Sequence, residues 1–100
     1  MLPENRIPTH PGEILLEKFL KPLGQPMGVS QVAFARHVGV PLQRINEIVQ
    51  GRRGVTPDTA WRFAQAFSTT PEFWMNLQSA HDLARSRPGK TVERIQPAAG

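Results

Sequence analysis

The stretch "LQRINEIVQGRR", residues 42–53, holds the side chains of this chain best suited to recognising another molecule. Wound as a helix, at ~100° per residue, it gathers Gln43, Asn46, Glu47 and Gln50 on one face, with Arg44 on the flank. A generic surface helix carries lysines and glutamates on such a face, whereas this one carries amides. An amide can bond adenine twice, arginine pairs bidentately with guanine, and glutamate accepts from cytosine, all through the major groove. Arg52 and Arg53 follow at once and suit the adjoining phosphate backbone. Gln31, preceded by Ser30, stands at the start of the helix before, where unpaired amides can meet a phosphate. These residues are the expected DNA-binding site.

Other chemistry finds little support. The chain has no glycine-rich phosphate loop and no serine nucleophile motif, so an enzyme is not expected. His10, His37 and His81 are widely separated, and no His/Asp/Glu set has ligand spacing, so no metal or other cofactor is expected. His10 and Glu13 read instead as a capping pair at a helix start. Trp61 and Trp74 can stack on bases, but packing in a core or an interface is the expected role.

The elements that present this face follow from the interruption "Gly39-Val40-Pro41". Before it, Phe34, Ala35 and Val38 recur at helical spacing, and after it Leu42, Ile45, Ile48 and Val49 occupy an inward arc of about 120°. Two short helices meeting steeply need a small residue at the approach, met by Ala35, and a glycine able to take positive φ, met by Gly39. The break is the turn of a helix-turn-helix. Other helix starts share a grammar of an extended residue before a proline in the first helical position: His10-Pro11, Thr56-Pro57 and Thr70-Pro71, with Val40-Pro41 as a variant. Ser30 caps one more helix, and glycines 24, 39, 51 and 54 fall where helices should stop. No window alternates with period two, so the fold class is all-α with five helices. In the first helix Leu16, Leu20 and Leu23 form the apolar row, with Leu15 and Phe19 beside them; in the fourth it is Ala60, Phe63, Ala64 and Phe67. The fifth brings Phe73, Trp74, Leu77, Ala80 and Ala84 to one broad side. Its apolar surface makes Trp74, Leu77, His81 and Ala84 the expected dimer interface, since paired modules read a palindrome.

At 100 residues the chain is expected to form one domain, over residues 10–86, with a loosely ordered arm at 1–9 and a mobile basic tail at 87–100. Residues 30–54 carry +3 (Arg36, Arg44, Arg52 and Arg53 against Glu47), and residues 55–84 carry −2 (Arg62 against Asp58, Glu72 and Asp82). Such a one-sided basic block suits nucleic acid. There is no cysteine, no long apolar run and no signal-type N-terminus, so a cytoplasmic protein without membrane contact is expected.

Three segments, "HPGEILLEKFLKPLG", "SQVAFARHVGVPLQRINEIVQGRRGVTPDTAWRFAQAF" and "TPEFWMNLQSAHDL", together resemble the HigA antitoxins, a branch of the Xre-type helix-turn-helix regulators. The resemblance implies a five-helix, lambda-repressor-like DNA-binding domain, usually a homodimer. It also implies a toxin partner similar to HigB, an mRNA interferase, and repression of the shared operon through operator DNA. The loop "GQPMGVS" is longer than the family's usual step, and Trp61 stands where an aliphatic residue is expected. Two other functions fit the same residues: a stand-alone Xre-type regulator with no toxin, and a helical adaptor that contacts no DNA.

Overall fold

The computed structural model describes residues 7–23 and 28–97. Gly24 and most of the loop "GQPMGVS", the first six residues of the arm and the last three of the tail therefore lie outside the described residues. The first helix, α1, starts at Pro11–Ile14 and continues unbroken as a π-helix over Leu15–Leu20. Then come α2 (Gln31–Val38), α3 (Leu42–Val49), α4 (Pro57–Phe67) and α5 (Pro71–Arg85). Among the described residues there is no strand, and the five-helix all-α architecture holds.

Three helices begin as their prolines predict. His10, Thr56 and Thr70 are extended N-caps whose side chains accept from backbone N–H groups two or three residues on, with Pro11, Pro57 and Pro71 opening the helices. Pro41 differs by one position: it is itself the N-cap of α3, at φ −56° and ψ 141°. Its carbonyl accepts from the N–H groups of Arg44 and Ile45 at 3.0 and 3.2 Å.

The π-turn in α1 shifts its buried side. Lys21 N–H donates to the Leu16 carbonyl five residues back, at 3.0 Å. In an α-helix, residues five apart diverge by ~140°, yet here Leu15 and Leu20 are both fully buried while Leu23 is exposed. The expected row of Leu16, Leu20 and Leu23 is thus replaced by Leu15 and Leu20, with Leu16 and Phe19 half-buried beside them.

The core closes around aromatic rings from four helices. Phe34 of α2 stacks on Phe67 of α4 at 5.2 Å between centroids, and Phe19 of α1 lies 4.6 Å from Phe67. Trp74 meets Phe63 edge-on at 5.2 Å, and its indole N–H donates to the Thr69 hydroxyl at 2.8 Å. In α5 the buried residues are Trp74 and Gln78, while Phe73 and Ala80 face outward. Gln78, which the apolar spacing had not placed inside, is buried where it meets the polar backbone of the α3–α4 loop. Its Oε1 accepts from Val55 N–H at 2.7 Å, and its Nε2 donates to Asp82 at 3.0 Å.

Candidate nucleic-acid interface

The two central helices are joined as the interruption requires. Ser30 Oγ accepts from Ala33 N–H at 3.0 Å and opens α2. Gly39 closes it in the left-handed region, at φ 72° and ψ 33°, its N–H donating to the carbonyl of buried Ala35 at 2.9 Å. A residue that spacing did not single out secures this end. Arg62, one turn along α4 from Asp58 and bonded to it at 3.0 Å, donates to the Val38 carbonyl at 2.8 Å. A guanidinium on the last carbonyls of α2 satisfies orphan acceptors and opposes the negative helix end. Its i,i+4 pairing with Asp58 was readable in the sequence; its reach to α2, 24 residues away, was not.

Helix α3 is held from within by Ile45 and Ile48, both fully buried. Leu42, expected on the same arc, is 45% exposed, because it occupies the first helical position where the chain has just left the turn. Gln43, Arg44, Asn46 and Gln50 all stand in the open, and Glu47 is half-buried. Gly51, at φ 75°, then turns the chain so that exposed Arg52 and Arg53 follow directly.

Two bonds order this face. Asn46 Nδ2 donates to Gln31 Oε1 at 3.2 Å, tying the outer face of α3 to the first residue of α2. One amide hydrogen of Asn46 and its Oδ1 remain for a base edge, held in one orientation. Arg53 lies 3.5 Å from Glu47 and offsets a carboxylate that would otherwise repel phosphate. Pro41, Gln43, Arg44, Glu47 and Arg53 line one shallow depression. Gln31, Gln43, Arg44, Asn46, Glu47 and Arg53 are thus neighbours, while Gln50 and Arg52 stand at the C-terminal end of α3.

The expected dimer residues separate. Trp74 is fully buried in the core, so its indole offers no surface to a second copy. Leu77, His81 and Ala84 are half-buried on α5. His81 is already engaged: its Nδ1 is 2.7 Å from the Pro8 carbonyl, and its ring meets that of His10 edge-on at 4.9 Å.

His10 sits at the other end of this contact and bears on stability. Its Nδ1 accepts from Gly12 N–H at 2.9 Å, so the capping ring is neutral. Burial lowers its pKa below 6.5, with the charge of His81 acting in the same sense. A folded-state pKa below the unfolded one means that the unfolded chain binds the proton more tightly. The cap's contribution is therefore complete above about pH 6.5 and is lost as pH falls through that value toward the lower folded one. His10→Asn keeps an accepting cap and should flatten this acid limb of a urea-midpoint series. An identical pH profile for parent and variant would exclude His10 as its source.

Among the described residues no group of three His, Asp or Glu is placed to hold a metal ion. Nor is any helix among them long and apolar enough to cross a membrane.

Comparison with known proteins agrees with this geometry. Residues 23–74 match the helix-turn-helix family model. The chain is 44% identical to virulence-associated protein I of Dichelobacter nodosus, over 87% of this chain and 78% of that one. It is 36% identical to antitoxin HigA-1 of Vibrio cholerae, over 92% and 85% of the two chains. Among solved structures, the antitoxin GraA in complex with its operator superposes with a TM-score of 0.77 at 39% identity, covering 97% of this chain and 100% of that one. The helix-turn-helix match, the likeness to HigA-1 and the superposition on an operator-bound antitoxin, together with a turn closed by a left-handed glycine, place the chain in the HigA antitoxin branch of the Xre-type helix-turn-helix family, whose members are regulators rather than enzymes.

Proposed function

We propose that this chain is an antitoxin that also represses its own operon, binding operator DNA as a homodimer and neutralising a HigB-like mRNA interferase in the cytoplasm. The observation that carries the DNA half is the outer face of α3, with Asn46 oriented by Gln31. In this reading α3 enters the major groove, where Gln43, Arg44, Asn46, Glu47 and Gln50 meet base edges. Gln31 and the first amides of α2 meet the phosphate backbone on one side, and Arg52 and Arg53 on the other. An operator-bound relative supports that half, and the HigA-1 likeness supports the toxin half.

Asn46→Ala should cost about 1–3 kcal/mol on the cognate operator and relax the preference at one base pair. Arg52→Ala should weaken binding to every sequence and lower the salt slope by about 1. Titration of labelled operator across a salt series decides it: variants that bind as tightly as the parent throughout would remove α3 from the interface. Growth of cells expressing the adjacent reading frame, with and without this chain, tests the toxin half. Arrest that the chain relieves supports an antitoxin. A frame that causes no arrest would leave the stand-alone regulator, the reading favoured by a relative named for virulence rather than for a toxin.

A further inference from the structure

Leu42 is the residue of α3 that neither the core nor the polar face explains. It opens the helix and is 45% exposed, while Ile45 and Ile48 on the same expected arc are fully buried. At ~100° per residue, the inward direction set by Ile45 and Ile48 lies ~90° from Leu42 and ~130° from Asn46. Leu42 therefore stands on the flank of α3, one turn before Asn46 and on the same side. That side also carries the bond at 3.2 Å from Asn46 to Gln31 of α2. Across the helix, Arg44, Glu47 and Arg53 line the shallow depression with Pro41 and Gln43, and Leu42 takes no part in it.

A lone exposed leucine is ordinary on a protein surface. This one opens the helix whose outer side chains are Gln43, Arg44, Asn46, Glu47 and Gln50. When a helix-turn-helix docks on DNA, the N-terminal residues of its second helix are the ones that reach base edges. Leucine offers a base neither donor nor acceptor. Of the four bases, only thymine presents an apolar group in the major groove, its 5-methyl. Bringing the two together removes apolar surface of both from water.

Resting on the DNA half of the proposed function, we propose that Leu42 contacts the 5-methyl group of one thymine in the operator and makes that position specific for thymine. Leu42 lies ~6 Å along the helix axis from Asn46, and base pairs are ~3.4 Å apart. The thymine thus falls within about two pairs of the one that Asn46 reads.

Replacing thymine by deoxyuridine removes that methyl and leaves base pairing and the O4 acceptor unchanged. The strongest-binding duplex is selected from a random-sequence pool, and each of its thymines is replaced in turn. At one position, with its symmetry mate in a palindrome, uracil should weaken binding of the parent roughly fourfold, the effect of one buried methyl group. Leu42→Ala should bind the thymine and uracil duplexes equally there. Leu42→Met, which keeps an apolar end, should still prefer thymine. Each preference is a ratio within one variant, so a loss of folded protein scales both affinities alike and leaves it unchanged. Parent affinity that is the same with uracil at every thymine would overturn the proposal. So would a methyl preference that survives in Leu42→Ala, since the methyl would then act through another residue or through DNA stiffness. Both results leave DNA binding by α3 standing. A chain that enriches no sequence from the pool would instead remove the DNA reading, and the role of Leu42 with it.

Discussion

Gly12→Ala should cost about 3 kcal/mol or more, the upper end of what overpacking does, and leave the protein mostly unfolded under mild denaturant. A Cβ on Gly12 would land on the Ile48 carbonyl oxygen and carbon and press on the Val49 Cα. All three are backbone atoms of α3, and no side-chain rotation relieves the clash. Helix α1 must then back away from α3, opening the contact between buried Pro11, Gly12 and Ile48. Under the proposed function the change would also disturb operator binding, because α1 supports from behind the helix whose outer face carries Gln43, Arg44 and Asn46. Urea denaturation checks it, with Gly89→Ala as the neutral control, since Gly89 has open space around it. A Gly12→Ala midpoint equal to the parent's would mean that the two helices do not approach this closely.

Trp74→Ala should cost about 3–5 kcal/mol, the usual range for emptying a large aromatic site in a core. The indole touches rings from α1, α4 and its own helix: Phe19 at 5.2 Å, Phe63 at 5.2 Å and Phe73 at 5.1 Å. Trp74→Phe keeps part of that contact and removes the bond to Thr69, for a smaller loss of roughly 1–3 kcal/mol. The distinction from an interface role is measurable. A core residue lowers the unfolding temperature equally at all protein concentrations, whereas an interface residue weakens association and leaves the monomer intact. A Trp74→Ala chain that melts like the parent but dissociates more readily would return Trp74 to the surface.

Much of the geometry of the α3 outer face was legible because its causes are local. A helix fixes angular order, so Gln43, Asn46 and Gln50 had to share a side once Ile45 and Ile48 were buried. Gly39 is the one residue in its turn able to hold φ 72° without strain, and proline positions mark three helix starts because the missing N–H costs nothing there. Pro41 misled by one residue, since an N-cap proline and a first-turn proline have the same φ and differ only in ψ. The π-turn was invisible to a periodicity search built on the α-helical angle, and it exchanged Leu23 for Leu15 on the buried side of α1.

What the sequence by itself determined, then, is the fold class, the helix-turn-helix and the chemistry of the α3 outer face, all set by short-range spacing and capping. Only the tertiary structure decided which apolar residues are interior, because that depends on which helix lies opposite. It buried Trp74, left Trp61 and Leu42 outside, and called on Gln78 to satisfy the Val55 N–H 23 residues away. It also brought Gln31 to Asn46, Arg62 to the end of α2, and His81 to the Pro8 carbonyl. Each of these contacts closes a long loop in the chain, and nothing in the spacing of nearby residues encodes which distant partner will be met.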